Sequence, residues 1–326
     1  MQKLVSLFII AIAVLPLNYY ASTNQEINTV MGHIMVKVPV KRVITLEHRY
    51  TEMVLSLGVI PIGVADIKSY QDYDGVDEEK LRGVKSVGRR AAPNLELIAS
   101  LKPDLIIGAK LRNASVYPVL SSISSSLLFN YIQMPNDKAQ PLARLFAELN
   151  TVAKLLGKTQ QAKKIIADYN KTVTEAKATI DQLKQQGLLK SDRVAIAQFL
   201  PGSPKLRLLT TDSVAIEALK SIGLKAAWPV KGGPSTLGYR TVGIQRLSIL
   251  GQVNMFYFNE RADDSYLKNT LSNPLWLNLP FVKSALTYRF CQQIWPWGGP
   301  IALEKFINEV VGSLKQKSQE YAENAA

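Results

Sequence analysis

Arginine and aromatic side chains stand where the predicted strands or turns of this chain end. Arginine suits carboxylate or hydroxamate oxygens, because its planar guanidinium donates two parallel hydrogen bonds. Aromatic rings supply rigid apolar walls in small-molecule sites. The pattern therefore predicts a ligand-binding cleft lined by both kinds of side chain. The candidate residues are Arg49, Arg89, Arg90, Arg112, Tyr239, Arg240, Trp295 and Trp297.

Signatures of catalysis are scarce in the chain. It has no G-x-S-x-G elbow, no phosphate-binding glycine-lysine loop, no H-E-x-x-H and no C-x-x-C motif. Its two histidines, His33 and His48, are too few for a three-histidine metal site, and His48 is expected at a surface or at the mouth of a site. We therefore predict a binding protein, not an enzyme, with no catalytic residue and no metal ligand.

The paired arginines belong to residues 86–107, which predict a loop, a helix and a strand. Asn94 is a good N-cap for a helix over 95–101, and the apolar run 105–107 is typical of a strand in a covered parallel sheet. The two arginines then lie in a strand-to-helix loop, which is where open α/β sheets bind ligands.

The residues before this segment predict a further strand–helix–strand unit. We expect a strand at 42–46, a helix at 50–57 and a strand at 61–65. A polar loop is expected at 66–82.

The second half of the chain repeats this order of elements. The repetition predicts two α/β lobes of similar construction, because each half supplies the strands and helices of its own sheet. The predicted elements are a strand at 193–198, a helix at 213–222, a strand at 226–228, a glycine-rich loop at 231–240 and a helix–strand unit at 241–258.

A long helical region, residues 139–186, separates the two halves. Its second part is polar nearly all round with a thin apolar stripe, which is typical of a helix of about 40 Å that bridges two domains. We therefore predict an α/β protein with two Rossmann-like lobes joined by a single long helix. The predicted boundaries are a first lobe at 36–157, a connecting helix at 158–187 and a second lobe at 188–320, which ends in a helix at 300–322.

The N-terminus has the composition of a secretory signal. Lys3 precedes the apolar run 4–17, which is short for a membrane span and has the usual length of a signal h-region. We predict a signal peptide over residues 1–22. The single cysteine, Cys291, is far from this run, so we expect no lipid anchor and a location in the periplasm. Cys291 itself is expected to pack in a core.

The formal net charge is +13 for 326 residues. Nucleic acid is the usual partner of so basic a chain, but an exported protein rarely meets it, and no basic run with interleaved aromatic residues is present. Two interpretations remain. The charge either favours solubility and adsorption to anionic surfaces, or it attracts an anionic small ligand.

Two stretches, RVITLEHRYTEMVLSLGVIPIGVAD and SVGRRAAPNLELIASLKPDLII, resemble periplasmic ferric-siderophore-binding proteins of ABC importers, especially the hydroxamate- and citrate-type branch. The resemblance extends over about residues 38–314. It implies the class III, helical-backbone fold of periplasmic binding proteins, with a ferric siderophore in a shallow cleft between the lobes. The iron would arrive already chelated, so the resemblance implies no intrinsic cofactor and no metal ligand from the protein.

The resemblance also implies roles for single residues. Arg90 would contact the iron-chelating oxygens with Arg89 as an added neighbour, and Tyr239, Trp295 and Trp297 would wall the site. The added arginine suggests a more anionic, carboxylate-bearing siderophore rather than a neutral trihydroxamate.

One departure from the family pattern is Leu237, which stands where relatives carry a tryptophan. It leaves the identity of the ligand open. Two alternatives to a ferric-siderophore-binding protein are kept: a binding protein for another iron or cobalt chelate, such as haem or a corrinoid, and, less favoured, an exported enzyme on the same scaffold.

The family docks on its inner-membrane permease through one acidic residue per lobe, and Glu96 matches the first-lobe position. The second-lobe position is Gln245, so docking there would be weaker or would use another acid, such as Glu217 or Glu260. We expect a monomer that delivers its ligand to an ABC permease.

Overall fold

The computed structural model describes most of the chain after the predicted signal peptide. The predictions for that peptide and for Leu237, Glu260 and Cys291 lie outside the described residues. Within the described part of the chain, no helix has the length and apolar character needed to cross a bilayer. The described residues are 23–131, 140–228, 238–259, 265–290 and 293–325.

The described strands form two large sheets and two two-stranded hairpins. They are β1 (Thr23–Thr29), β2 (Gly32–Val38), β3 (Val43–Thr45), β4 (Gly63–Val64), β5 (Lys85–Ser86), β6 (Gly88–Arg89), β7 (Ala92–Pro93), β8 (Leu105–Ala109), β9 (Ser125–Phe129), β10 (Arg193–Phe199), β11 (Lys205–Leu209), β12 (Lys225–Ala226), β13 (Tyr239–Gly243), β14 (Asn254–Asn259) and β15 (Thr287–Arg289).

Helices connect and cover these strands. The α-helices are α1 (His48–Ser56), α2 (Ile67–Tyr73), α3 (Leu95–Ser100), α4 (Lys110–Asn113), α5 (Tyr117–Ile123), α6 (Pro141–Leu155), α7 (Thr159–Gln185), α8 (Val214–Ser221), α9 (Ser265–Leu271), α10 (Pro274–Leu277), α11 (Pro280–Lys283) and α12 (Pro300–Ala325). Short 3-10 helices lie at Glu78–Leu81, Ala114–Val116 and Ile244–Leu250.

The first large sheet is entirely parallel and forms the first lobe, with the strand order β5-β4-β3-β8-β9. Val43 and Ile44, on opposite faces of β3, are both fully buried, because separate apolar clusters cover the two faces. The chain order reverses between β3 and β8, since β4 and β5 lie on one side of β3 and the later strands on the other. The crevice beyond the carboxyl ends of two such strands is the usual ligand site of an open α/β sheet.

The second large sheet forms the second lobe and repeats this arrangement. Its parallel strands have the order β12-β10-β14-β15, which matches β4-β3-β8-β9 of the first lobe. Two antiparallel strands, β11 and β13, are added at the β10 edge. The predicted α/β fold with two lobes is confirmed, although the apolar pattern does not predict the added strands.

Helix α7 joins the lobes as a single helix of 27 residues, which corresponds to about 40 Å. Its thin buried stripe, which includes Ile165, Tyr169 and Ile180, packs against α6 and α12. The exposed faces are polar and carry ion pairs one turn apart, such as that of Lys177 with Asp181. The polar character read from the sequence therefore belongs to a helix that is exposed along most of its surface.

Several local predictions are corrected by the structure. The predicted loop at 66–82 contains α2 and a 3-10 helix, which the pattern misses because α2 buries only Tyr70. The predicted helix within 241–258 is a 3-10 helix, and it is preceded by β13. The hairpin of β1 and β2 is not predicted, because all but one of its strand residues are at least partly exposed and Ile27 is the one apolar residue of β1.

Candidate ligand-binding cleft

A cleft of about 610 Å³ lies between the two lobes. Five of the eight predicted ligand-binding residues line it. Arg90 and Arg112 come from the first lobe, and Tyr239, Trp295 and Trp297 come from the second. The other lining residues, which the sequence did not indicate, are Ser69, Tyr73, Ala91, Leu111, Tyr131 and Arg207.

The carboxyl ends of β3 and β8 carry the charged centre of the cleft. Glu47 follows β3 as the N-cap of α1, and its Oε1 accepts a hydrogen bond from His48 N at 3.1 Å. Arg112 lies on α4, directly after β8, and its Nε donates to Glu47 Oε2 at 2.5 Å. The reversal of strand order therefore brings a carboxylate and a guanidinium into contact.

Arg90 is held through both its backbone and its side chain. Its Nη1 donates to Glu47 Oε1 at 2.8 Å, and its Nε lies 3.3 Å from Asp66 Oδ2. The same Asp66 oxygen accepts from Arg90 N at 3.0 Å, while Arg90 O accepts from Asn113 Nδ2 at 2.8 Å. Gly108 leaves room for Asn113, because a Cβ at this glycine would lie 2.6 Å from Asn113 Oδ1. The position of Arg90 is thus set by the protein itself.

Glu47 has no exposed surface and is nevertheless ionised. Burial alone would raise the pKa of its carboxyl, but the charges of Arg90 and Arg112 outweigh burial and lower the pKa to about 2. The side chains of these arginines are 17% and 32% exposed, respectively. The carboxylate therefore lies beneath two guanidinium groups whose outer edges reach the cleft.

The second lobe contributes Arg207, which is not among the predicted residues. It lies on β11, where its Nη1 donates to Gln198 Oε1 at 2.9 Å and its guanidinium stands 4.9 Å from the centroid of the Tyr239 ring. The strand K-L-R-L-L carries a signal that could have revealed it, because its charged residues alternate with the buried Leu206 and Leu208.

Aromatic rings from both lobes wall the cleft. Trp295 stacks on Tyr73 across the lobe boundary with centroids 5.5 Å apart, and Trp297 meets Tyr239 edge-on at 6.0 Å. Tyr131 of the first lobe donates from its hydroxyl to the Trp297 carbonyl at 2.9 Å. These contacts make the aromatic wall a part of the interface between the lobes.

Glu52 of α1 fixes the segment that carries the two tryptophans. Its carboxylate accepts hydrogen bonds from Gly299 N, from Ile301 N at 2.8 Å and from Ala302 N at 3.1 Å. These N–H groups lie at the start of α12, so a first-lobe carboxylate caps a second-lobe helix. A glycine is needed at 299, because a Cβ there would lie 2.7 Å from Glu52 Oε1.

Arg49 does not line the cleft, although its place after the first strand predicts it there. It is 5% exposed, its Nε donates to the carbonyls of Trp297 and Gly298 at 3.3 and 3.2 Å, and its Nη1 lies 3.5 Å from Glu148 Oε2. Its guanidinium also stacks 4.3 Å from the ring centroid of Tyr131. Arg49 therefore joins the lobes from inside the protein.

Arg89 and Arg240 also lie outside the lining of the cleft. Arg89 is exposed on β6, and Arg240 is half-buried on β13. His48, expected at a surface or mouth, is instead fully buried, 6.0 Å from the ring centroid of Trp295. Burial and the charge of Arg90 lower the pKa of His48 to about 4, so its ring is neutral at pH 7.

Three of the residues considered for permease docking, Glu96, Glu217 and Gln245, are described by the structure and do not line the cleft. Glu96 is exposed in the first turn of α3, whose N-cap Asn94 is confirmed by a 3.0 Å hydrogen bond from Leu97 N to its Oδ1. Gln245 is exposed on the 3-10 helix of the second lobe. Glu217 is instead half-buried and accepts from Leu142 N at 2.8 Å, so it caps α6.

Comparisons with known proteins agree with this architecture. Residues 43–190 match the model of the periplasmic binding protein family. The probable siderophore-binding lipoprotein YfiY of Bacillus subtilis is 28% identical, over 94% of this chain and 96% of its own. The iron(3+)-hydroxamate-binding protein FhuD of Escherichia coli is 27% identical, over 85% of this chain and 88% of its own.

A solved structure supports the same assignment. The siderophore-binding protein FhuD of Vibrio cholerae, with Fe3+-Desferal bound, superposes with a TM-score of 0.71 at 27% identity. The match covers 84% of this chain and 97% of the other. Two α/β lobes on a helical backbone, with a cleft between them, define a class III substrate-binding protein. Over residues 43–190 the chain matches the periplasmic binding protein family, and its fold is that of the siderophore-binding protein from Vibrio cholerae.

Proposed function

We propose that this protein binds a ferric siderophore in the cleft and delivers it to an ABC permease of the inner membrane. The observation that carries the proposal is the pair of guanidinium groups of Arg90 and Arg112, fixed on the buried Glu47. Among the residues that the structure describes, neither Arg90 Nη2 nor either Nη of Arg112 has a hydrogen-bond partner. These donors suit the oxygens that surround chelated iron.

The aromatic walls suit the apolar part of such a chelator. The rings of Tyr73, Tyr239, Trp295 and Trp297 present rigid apolar surface to the cleft that Arg90 and Arg112 also line. The iron is cargo and enters already chelated, so the protein supplies hydrogen bonds and ring contacts. We propose that it binds and releases this cargo without chemical change, as the binding-protein family and the siderophore-binding relatives suggest.

Fluorescence titration tests the proposed function. Ferrichrome, ferric dicitrate and ferric enterobactin are each added to the purified protein, together with haem and a corrinoid as competing candidates. A ferric siderophore is expected to quench tryptophan emission with saturation, because Trp295 and Trp297 line the cleft. Trp276→Phe, which alters a second-lobe core tryptophan, should keep the quenching, whereas Trp297→Phe should reduce it. Saturable binding of haem or corrinoid alone would contradict the proposal.

We also propose that the protein works in the periplasm as a monomer without a lipid anchor. Residues 1–22 would be removed as a signal peptide, and lobes at 36–157 and 188–320 would move little about the helix at 158–187. The lack of a cysteine directly after the apolar run, in residues 18–30, supports an unanchored form, although the relative YfiY is named as a lipoprotein. Mass measurement of the exported form distinguishes the two, because a lipid anchor adds acyl mass.

Docking on the permease is proposed to use Glu96. Glu96→Arg is expected to leave siderophore affinity within about two-fold and to abolish uptake, because reversing an exposed interface charge sets it against permease arginines. The measurement is uptake of 55Fe-siderophore by cells that carry the variant as their only copy. Glu175→Arg, at an exposed position of α7, is the matched control and should take up iron normally. Normal uptake by Glu96→Arg would contradict the docking role.

A further inference from the structure

The two arginines that the first lobe contributes to the cleft share one carboxylate that a ligand cannot reach. Glu47 is fully buried, and each of its oxygens engages a different arginine: Oε1 accepts from Arg90 Nη1 at 2.8 Å and Oε2 from Arg112 Nε at 2.5 Å. Because one rigid carboxylate holds both groups, it sets their spacing as well as their orientation. The remaining N–H groups of both arginines are left for the cleft.

The same pairing removes most of the positive charge that the arginines would give the cleft. Asp66 supplies a second carboxylate, 3.3 Å from Arg90 Nε. Glu47 and Asp66 therefore balance Arg90 and Arg112. Among the described residues that line the cleft, Arg207 carries a further positive charge, which neither Glu47 nor Asp66 balances. The first-lobe side of the cleft is thus rich in donors but nearly neutral.

We propose that Glu47 is a positioning residue that determines which ligand charge the cleft prefers. It holds Arg90 and Arg112 as paired donors and cancels their charge, so that the cleft favours a neutral ferric chelate over a multiply anionic one. This inference rests on the proposed function, because it concerns the same cleft. It reverses the expectation from sequence that an added arginine favours a more anionic siderophore, since Arg89 lies outside the cleft lining.

Glu47→Gln tests the inference, because glutamine keeps the shape and an acceptor oxygen but removes the charge. Dissociation constants are measured by tryptophan fluorescence at pH 7 for ferrichrome, which is neutral, and ferric dicitrate, which is anionic. Wild-type protein is expected to prefer ferrichrome. In the variant, the ratio of ferric dicitrate affinity to ferrichrome affinity is expected to rise about ten-fold, the effect of one unit charge at short range in a partly screened site. An unchanged ratio would overturn the inference.

Two further variants separate charge from position. Asp66→Asn also removes a carboxylate beside Arg90 but leaves Arg112 paired, and Asp66 is more exposed, so the affinity ratio should change about three-fold or less. Glu47→Asp keeps the charge with a shorter reach, so both affinities should fall while their ratio stays within about two-fold of wild type. The role of Glu47 would be refuted if the affinity ratio changed as much in Asp66→Asn as in Glu47→Gln. It would also be refuted if both affinities of Glu47→Asp equalled those of wild type.

The outcomes also distinguish this inference from the proposed function. Wild-type protein that prefers ferric dicitrate refutes the inference and leaves siderophore binding intact. Wild-type protein that binds no member of the siderophore panel refutes the proposed function itself. Thermal denaturation of each variant shows whether it is folded. If Glu47→Gln does not fold, the two affinities of Glu47→Asp test whether Glu47 positions the arginines.

Discussion

Replacing Arg90 with lysine is expected to lower siderophore affinity by about ten- to hundred-fold with little loss of stability. Lysine keeps a positive charge beside the buried Glu47, so the carboxylate remains paired. The guanidinium of Arg90 donates to Glu47 and Asp66 and still presents N–H groups to the cleft, which a single ammonium group cannot do. Hydrogen bonds to charged groups are worth about 1.5–3 kcal/mol, which sets the expected range.

The measurement pairs fluorescence titration with thermal denaturation. Arg89→Lys is the matched control, because Arg89 is adjacent in the chain but is exposed outside the cleft lining. This variant should bind the siderophore with the affinity of wild type. Arg90→Ala should bind as weakly as Arg90→Lys and also lose about 3 kcal/mol of stability, since Glu47 would keep only Arg112 as its partner. Wild-type affinity in Arg90→Lys would show that Arg90 does not contact the ligand.

The segment around Arg90 could be predicted from sequence because its chemistry is local. A turn, the N-cap Asn94 and an apolar run follow one another within residues 86–107, and each has its own residue signature. The partners of Arg90 could not be predicted in the same way. Glu47 and Asp66 lie 43 and 24 positions away, and only the strand order of the parallel sheet brings them to one crevice.

The errors at Arg49 and Arg207 have geometric causes. Glu47 and Arg49 are two positions apart at the start of α1, so their side chains leave opposite sides of the helix. Glu47 lies beneath the arginines of the cleft, whereas Arg49 is buried between the lobes. Sequence alone does not say which side is which. Arg207 belongs to the antiparallel strand β11, which has no counterpart in the first lobe, so the repeated order of elements gave no reason to expect it.

Replacing Glu52 with alanine is expected to destabilise the protein by about 3–5 kcal/mol. Three N–H groups at the start of α12 would lose their acceptor at a fully buried position, and the Trp295–Trp297 segment would lose its tie to the first lobe. Urea denaturation measures the change. Glu175→Ala, at an exposed position on α7, should change stability by less than about 0.5 kcal/mol. A loss below about 1 kcal/mol in Glu52→Ala would show that water replaces the cap.

The same carboxylate makes stability depend on pH, because Asp74 is buried beside it. Burial raises the pKa of Glu52 from 4.5 to about 7 against the opposing N–H groups, and burial together with Glu52 raises the pKa of Asp74 well above its usual value. A raised carboxyl pKa means that the folded protein keeps a proton that the unfolded chain releases. The stabilisation is therefore complete below about pH 4.5 and is lost as pH rises through about 7.

Asp74→Asn should weaken this pH dependence, since asparagine imitates the protonated acid at every pH. Wild-type melting temperature is expected to fall from pH 5 to pH 7.5, and the variant should fall less and be more stable than wild type at pH 7.5 by on the order of 2 kcal/mol. Part of the fall in melting temperature with pH should remain in the variant, because burial also raises the pKa values of Glu148 and Glu304 to about 7. Parallel curves of melting temperature against pH for the two proteins would show that Asp74 stays ionised in the folded protein.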